Sequence, residues 1–361
     1  MLIGGGGTGG HVFPAIAIAD AIKALYPATQ FLFVGASGKL EMEKVPEAGY
    51  AIKGLPVAGF RRSITLKNLT FFYKLVVSMV QSRRIVRTYK PDVAVGVGGY
   101  ASGPILKAAA RKGIPILIQE QNSYAGVTNR LLARSASVIC VAYEEMEKYF
   151  PKEKIILTGN PVRKSLLEFS GEREQGLKEF GLEEGTQVCL VVGGSLGART
   201  INRSIMDGLN RLNRQDLQLL WQCGAYYIDE VREAVEKSGL RNIRVHPFIS
   251  RMEWAYQIAD VIVSRAGAIT ISELCLVGKP AILVPSPNVA EDHQTRNANA
   301  LVERKAAWMV PDRDAPEKLV STMMQLMENR DQQRQLAGNI KKLGISDASE
   351  RIASEVIKLM N

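Results

Sequence analysis

GGGGTGGHVFPAIAIADAI, residues 4–22, sets six glycines and a histidine directly before an apolar run with helical patterning. Only Leu2 and Ile3 stand between Met1 and the first glycine. A strand that runs into glycines and then into a helix opens a βαβ unit of a parallel sheet. Glycine lets backbone N–H groups approach an anion closely, and the helix N-terminus behind them adds partial positive charge. A tight strand-to-helix turn needs one or two glycines, so six point to a phosphate-facing loop.

The same logic recurs along the chain. FLFVG, DVAVGVG, IPILIQ, SVICVA and KIILTG read as strands buried on both faces, with AIAIADAIKAL, ILKAAARKG and TNRLLARSA as helices between them. After the polar stretch SGEREQGLKEFGLEEGT, strands resume with QVCLVVGG, LQLLWQCG, IRVHPFI, ADVIVSRAG and PAILVPS. This predicts an α/β protein of two Rossmann-like, doubly wound parallel-sheet domains facing a ligand cleft. Residues 1–162 form the first domain and 163–344 the second, with a helix in 345–361 packing back on the first. Each domain has its own glycine loop, the second being GGSLGAR at 193–199. Ligands of open sheets bind beyond the carboxyl ends of the strands.

At 361 residues, with 46% hydrophobic and 23% charged residues, the composition is that of a globular protein of two ordinary domains. No run approaches the roughly 18 apolar residues of a membrane-spanning helix, and Met1 leads into glycines, not into a signal peptide. Cys140, Cys189, Cys223 and Cys275 are scattered without CxxC spacing, which predicts reduced core cysteines and a cytoplasmic setting. The net charge of +10 is lopsided: residues 1–163 hold 21 Lys+Arg against 10 Asp+Glu. Residues 48–91 contain nine bases, Arg61, Arg62 and Lys67 among them, and no acid. Such a segment asks for an anionic partner.

Gly5, Gly7 and Gly10 satisfy G-x-G-x-x-G, yet residues 27–38 offer no acid for a dinucleotide ribose, and GK[ST] is absent. A nicotinamide dehydrogenase is therefore disfavoured. A third glycine turn, GVGGYASGP at 96–104, adds an anion-accepting nest to the basic half. His11, at the junction of loop and helix, is a candidate catalyst. Glu120 and Asn122 in QEQNSYAGVTNR lie at a strand's carboxyl end, where function or helix capping are both open. In the second half, a helix starting near Ala268 directs its first amides at an anion and carries Glu273, suited to two ribose hydroxyls. His293, Gln294 and Asn297 head a later helix and suit sugar hydroxyls. Asp312-Arg313-Asp314 matches the D-x-D of metal-dependent sugar transferases, but it reads better as a solvated turn, and no metal or cofactor is expected in the chemistry.

GGTGGHVFPAIAIA, GVGGYASGP, QEQNSYAGVTNRLLA, TGNPVR, GGSLGARTIN, PFISRMEWAYQIAD, SRAGAITISEL and HQTRNA follow one another in the order found in a known family. With them the chain resembles the MurG family, UDP-N-acetylglucosamine–lipid I glycosyltransferases of peptidoglycan synthesis with the twin-domain GT-B fold. The resemblance implies an inverting transfer of GlcNAc from UDP-GlcNAc to undecaprenyl-pyrophosphoryl-MurNAc-pentapeptide, without a metal, at the cytoplasmic face of the bacterial membrane. It implies that Ser195 and its loop, with Arg163, hold the diphosphate, and that the helix start at Ala268, Ile269, Thr270, Ile271 and Ser272 meets the α-phosphate. Glu273 would take the ribose, the backbone at Ile249 the uracil, and Gln294 the sugar hydroxyls. Thr8, Gly9, Gly10 and Asn122 would approach the donor from the N-terminal side. Gly7, Tyr100 and Asn129 would serve the acceptor. His11 would be the base, with Glu120 competing, and domain closure would exclude water.

Three departures stand out. The run before the glycines is shorter than the family's usual first strand, which implies a weakened sheet centre. Gln119 stands where His is common, and His293 where Gln can occur. The acid-free segment, with Phe71, Phe72, Leu75, Val76 and Met79 among its bases, fits an anionic membrane surface carrying a lipid-linked acceptor. Its aromatics form no stacking platform for nucleic acid. The alternatives are a diacylglycerol glycosyltransferase, a UDP-GlcNAc 2-epimerase or a non-catalytic membrane-binding module.

Overall fold

The structure, a computed structural model, describes residues 1–57, 67–194 and 196–360, without the side chains of 67–72 and Ala290. Arg61, Arg62 and Ser195, and the side chains of Lys67, Phe71 and Phe72, lie outside the described residues. The chain divides into two compact units, Met1–Arg163 with a segment starting at Asp347, and Lys164–Ser346.

The first unit is built on a parallel sheet of β1 (Leu2–Gly4), β2 (Leu32–Ala36), β3 (Ala51–Leu55), β4 (Ala94–Gly96), β5 (Ile116–Glu120), β6 (Val138–Val141) and β7 (Ile155–Leu157). Their order is β3-β2-β1-β4-β5-β6-β7. Short as it is, β1 is the full centre of the sheet. Leu2, Ile3 and Gly4 pair with 32–34 of β2 on one side and with 94–96 of β4 on the other. Leu2 and Ile3 are fully buried, so an apolar dipeptide between covered faces suffices for a central parallel strand. The edge strand β3 escapes the sequence pattern because Ala51 and Lys53 are exposed and Leu55 alone of its five residues is buried. The helix Gly9–Leu25 packs Val12, Ala15, Ile18 and Ile22 against Ile352, Ala353 and Val356 of the helix Ala348–Lys358.

The second unit repeats the plan with β8 (Gln187–Val192), β9 (Leu217–Gln222), β10 (Ile243–His246), β11 (Val261–Ser264), β12 (Ala281–Leu283) and β13 (Trp308–Met309). Their order is β10-β9-β8-β11-β12-β13. Trp221 is fully buried and donates its indole N–H to Asn202 Oδ1 at 3.1 Å, tying the helix Arg199–Asp207 to the sheet. All four cysteines are buried free thiols. Burial pushes Cys140 and Cys275 up to about 12, so they are inert packing groups.

In each sheet the strand order reverses once, between β1 and β4 and between β8 and β11. Chains leaving the carboxyl ends of those two strands diverge there and leave a crevice for a ligand. Both predicted glycine loops follow the first strand of such a pair.

Candidate functional sites of the two units

In the first unit the loop after β1 lies against the turn after β4. Gly99 has φ +83°, and a Cβ there would meet the Gly6 carbonyl oxygen at 2.2 Å. The close backbone approach therefore requires glycine. Thr8 takes the extended N-cap conformation, and its carbonyl accepts from the amides of His11 and Val12. Gly9 and Gly10 occupy the first helical turn, where amides point outward from the helix start. Gly7 is spent differently. Its N–H donates to Glu41 Oε2 at 2.9 Å, while Ala36 N–H donates to Glu41 Oε1 at 2.8 Å. Glu41 is buried beneath the loop as an internal anion. So an acid does stand near the end of the second strand, three residues beyond the acid-free stretch 27–38, and it is turned into the protein. Tyr100 is exposed at the tip of the neighbouring turn.

His11 Nδ1 lies 3.1 Å from Gln121 Oε1. The preceding residue, Glu120, ends β5 with its carboxylate buried among N–H donors. Oε1 accepts from the Asn122 amide at 3.1 Å and Asn122 Nδ2 at 3.3 Å. Oε2 accepts from the Gly126 amide at 3.0 Å and Asn129 Nδ2 at 2.9 Å. These four N–H donors occupy both carboxylate oxygens and make Glu120 the organiser of the 120–129 loop. Asn129, expected at the acceptor, is a buried strut of that loop, and its Nδ2 also donates to the Gln119 carbonyl. Arg163 is exposed and closes the first unit's main segment.

In the second unit the loop after β8 is pinned by Gln222. Its Nε2 donates to the Gly194 carbonyl at 3.0 Å, and its Oε1 accepts from the Ile249 amide at 2.8 Å. Gly197, φ +79°, passes so near β9's end that a Cβ would meet the Cys223 carbonyl at 2.0 Å. The Ile249 N–H is thus committed within the unit. His246, half-buried at the end of β10, is lowered by burial and so favours its neutral form.

The helix Ala268–Val277 starts at the predicted position, with Gly267 as an extended N-cap. Ile271 gives its N–H to the Gly267 carbonyl and buries its side chain, and Ser272 Oγ donates to the Ala268 carbonyl. Those two therefore build the helix, and Ala268, Ile269 and Thr270 supply its leading amides. Glu273 is buried, its Oε2 accepting from Tyr256 Oη–H at 2.9 Å. Gln294 Oε1 accepts from the Ser286 amide at 2.8 Å, which leaves Nε2 as the donor end of the side chain. Just before it, Glu291 and Asp292 both have positive φ, an uncommon strain for two successive non-glycine residues.

Asp312 of the D-x-D triplet is no solvated turn residue. Its carboxylate pairs with Arg265 Nη1 at 2.5 Å and accepts from Thr200 Oγ1 at 2.9 Å, which ties together segments after β11 and β13 and the helix after the glycine loop. Among the described residues no group of three or more His, Cys, Asp or Glu is placed to hold a metal ion.

Sequence reasoning passed over Glu41, Gln121, Gln222 and Tyr256. Glu41 alone had a signal, an acid shortly after the second strand. The three others are polar residues whose role arises only through partners distant in sequence.

Comparison with known proteins agrees with this layout. Residues 1–141 match the glycosyltransferase family 28 N-terminal domain and residues 188–352 its C-terminal domain. A protein of Cytophaga hutchinsonii named UDP-N-acetylglucosamine–N-acetylmuramyl-(pentapeptide) pyrophosphoryl-undecaprenol N-acetylglucosamine transferase is 53% identical, over 100% of this chain and 97% of its own. One of the same name from Bacteroides fragilis is 55% identical, over 99% and 95%. The crystal structure of Acinetobacter baumannii MurG superposes with a TM-score of 0.81 at 28% identity, covering 99% of both chains. A UDP-GlcNAc 2-epimerase from Neisseria meningitidis, 16% identical with a TM-score of 0.68 over 99% and 98%, shares the fold alone. The two sheets make up the GT-B fold. From full-length identity above 50% to such transferases, the chain belongs to the MurG family within glycosyltransferase family 28.

Proposed function

We propose that the chain transfers GlcNAc from UDP-GlcNAc to undecaprenyl-pyrophosphoryl-MurNAc-pentapeptide, converting lipid I to lipid II in peptidoglycan synthesis. The observation that carries this reading is the full-length identity to transferases of that name. The diacylglycerol transferase is disfavoured by the names of the relatives above 50% identity, and the epimerase because the resemblance to one is of fold only.

In the transfer, the acceptor hydroxyl oxygen attacks the anomeric carbon and inverts it. The bond to the diphosphate breaks, and UDP leaves with the electron pair. Two needs follow: a base for the hydroxyl proton and positive character near the departing diphosphate. His11 is assigned the first role, because Glu120 is committed to four N–H donors. The second falls to the loop carrying Ser195, to the leading amides of the helix Ala268–Val277, and to Arg163. Glu273 takes the ribose, the backbone at Ile249 the uracil, and Gln294 Nε2 a sugar hydroxyl. On the first unit, Thr8, Gly9, Gly10 and Asn122 are assigned to the donor, and the turn bearing Tyr100 receives the acceptor's pyrophosphate.

Membrane attachment is peripheral in this reading, on the anionic cytoplasmic leaflet. Among the described residues no helix is long and apolar enough to cross a membrane. The helix Lys67–Tyr89 buries Ser78, Ser82, Ile85 and Val86. It exposes Tyr73, Leu75, Val76 and Val80 beside Lys74, Arg83, Arg84 and Arg87. Apolar residues facing outward among bases, each worth about 1 kcal/mol near anionic lipid, support a bilayer-surface contact.

A UDP-release assay with UDP-GlcNAc, run with and without a lipid I analogue, tests the function. Release that depends on acceptor is expected. Equal release in both arms would sink the proposal. His11→Ala is expected to cut kcat by roughly 100-fold or more with donor affinity kept, and near-normal turnover would remove His11 as base.

A further inference from the structure

Three buried amides stand behind the imidazole of His11. Gln119, Gln121 and Asn160 are each no more than 2% exposed. A primary amide has a donating and an accepting end of nearly the same shape, so its orientation follows from what it faces. Backbone carbonyls, which only accept, settle that at two points. Asn160 Nδ2 donates to the Gln121 carbonyl at 2.9 Å, so Asn160 Oδ1 is the end that accepts from Gln119 Nε2 at 2.9 Å. Gln119 therefore turns its Oε1 to Gln121 Nε2. That nitrogen also donates to the Val97 carbonyl at 2.8 Å. What remains of the Gln121 amide, Oε1, faces His11 Nδ1 at 3.1 Å. An amide oxygen has no hydrogen to give, so Nδ1 is the nitrogen that carries the proton.

We propose that the relay Asn160–Gln119–Gln121 is a positioning device that holds neutral His11 with its proton on Nδ1 and its lone pair on Nε2. Free neutral histidine favours the opposite tautomer, so the relay selects the less populated form. It does so with uncharged groups, and the imidazole gains no ionic partner from it. The relay joins chain segments that follow β4, β5 and β7 to the helix that follows β1. The catalytic consequence rests on reading His11 as the base: Nε2 is then the nitrogen that takes the acceptor's proton. The tautomer itself does not rest on that reading.

The chain has three histidines, so their ring nitrogens can be resolved in a long-range 15N–1H correlation spectrum of the whole protein. His11 is assigned by its loss in His11→Gln. With the ring neutral, Nδ1 is expected at the position of a protonated nitrogen and Nε2 at that of a bare one. A proton on Nε2 overturns the proposal whatever the turnover. Gln121→Met keeps the length and removes the acceptor. It is expected to move His11 toward the Nε2–H tautomer and lower kcat about tenfold or more, with the KM for UDP-GlcNAc unchanged. A wild-type tautomer in folded Gln121→Met overturns the relay. The wild-type spectrum needs no buried substitution and so decides the tautomer even where Gln121→Met does not fold. A His11→Ala enzyme with full turnover, beside the expected tautomer, strikes the base assignment alone.

Discussion

Tyr256 gives its phenolic hydrogen to Glu273 Oε2 at 2.9 Å, with both side chains buried. Glu273 lies one turn inside the helix Ala268–Val277, and Tyr256 sits on the helix Met252–Ile258. The bond fixes the rotamer of the carboxylate that the proposed function assigns to the ribose. Tyr256→Phe is expected to weaken UDP binding about three- to tenfold, the worth of one such bond, with kcat little changed. Glu273→Gln is expected to weaken it roughly 10- to 100-fold, since the lost bonds are charge-assisted. Calorimetric titration with UDP measures both, and equal affinity in all three proteins would refute the assignment.

The two glycine loops make a matched pair of tests. Gly99→Ala sets a Cβ 2.2 Å from the Gly6 carbonyl, and Gly197→Ala sets one 2.0 Å from the Cys223 carbonyl, each at positive φ. Neither backbone can yield cheaply, so each variant is expected to lose about 1–3 kcal/mol of stability. Their kinetic effects should separate. Gly99→Ala is expected to raise the KM for the acceptor, and Gly197→Ala the KM for UDP-GlcNAc. Steady-state kinetics with each substrate varied in turn reads the split.

Asp312 is a structural tie, its carboxylate held by Arg265 and Thr200. Asp312→Ala leaves the largely buried Arg265 guanidinium without its carboxylate, at an expected cost of about 2–4 kcal/mol in unfolding free energy. Activity per folded molecule, and its response to added Mn2+, should match wild type. A variant of unchanged stability whose metal response alone is altered would reverse the assignment.

Val76→Glu and Val80→Glu place charge on the exposed apolar side of the helix Lys67–Tyr89. Both are expected to reduce flotation with phosphatidylglycerol vesicles at least about fivefold, with kcat on a water-soluble acceptor analogue kept. Flotation of wild type equal on anionic and neutral vesicles would dismiss the membrane surface.

Most of the sheet architecture was legible because strands covered on both faces read as unbroken apolar runs, as in VCLVV of β8 and VICV of β6. The half-exposed β3 and the two-residue β13 have no such run. Glycine loops announced themselves, since no other residue tolerates Gly99 or Gly197. The partners of the site did not. Gln121 stands beside the more conspicuous Glu120, and its contact with His11 spans 110 positions. Glu120 and Asn129 stand out by residue type, but the bond between them within one loop was not legible from the sequence.

The central claim is transfer of GlcNAc to a lipid-linked acceptor, and following the sugar tests it most directly. With UDP-GlcNAc labelled in the GlcNAc ring and a lipid I analogue in detergent, label should enter the lipid phase in step with UDP release, joined by a new β-linkage. Label recovered as free GlcNAc or as an epimer, with none in the lipid phase, would contradict it.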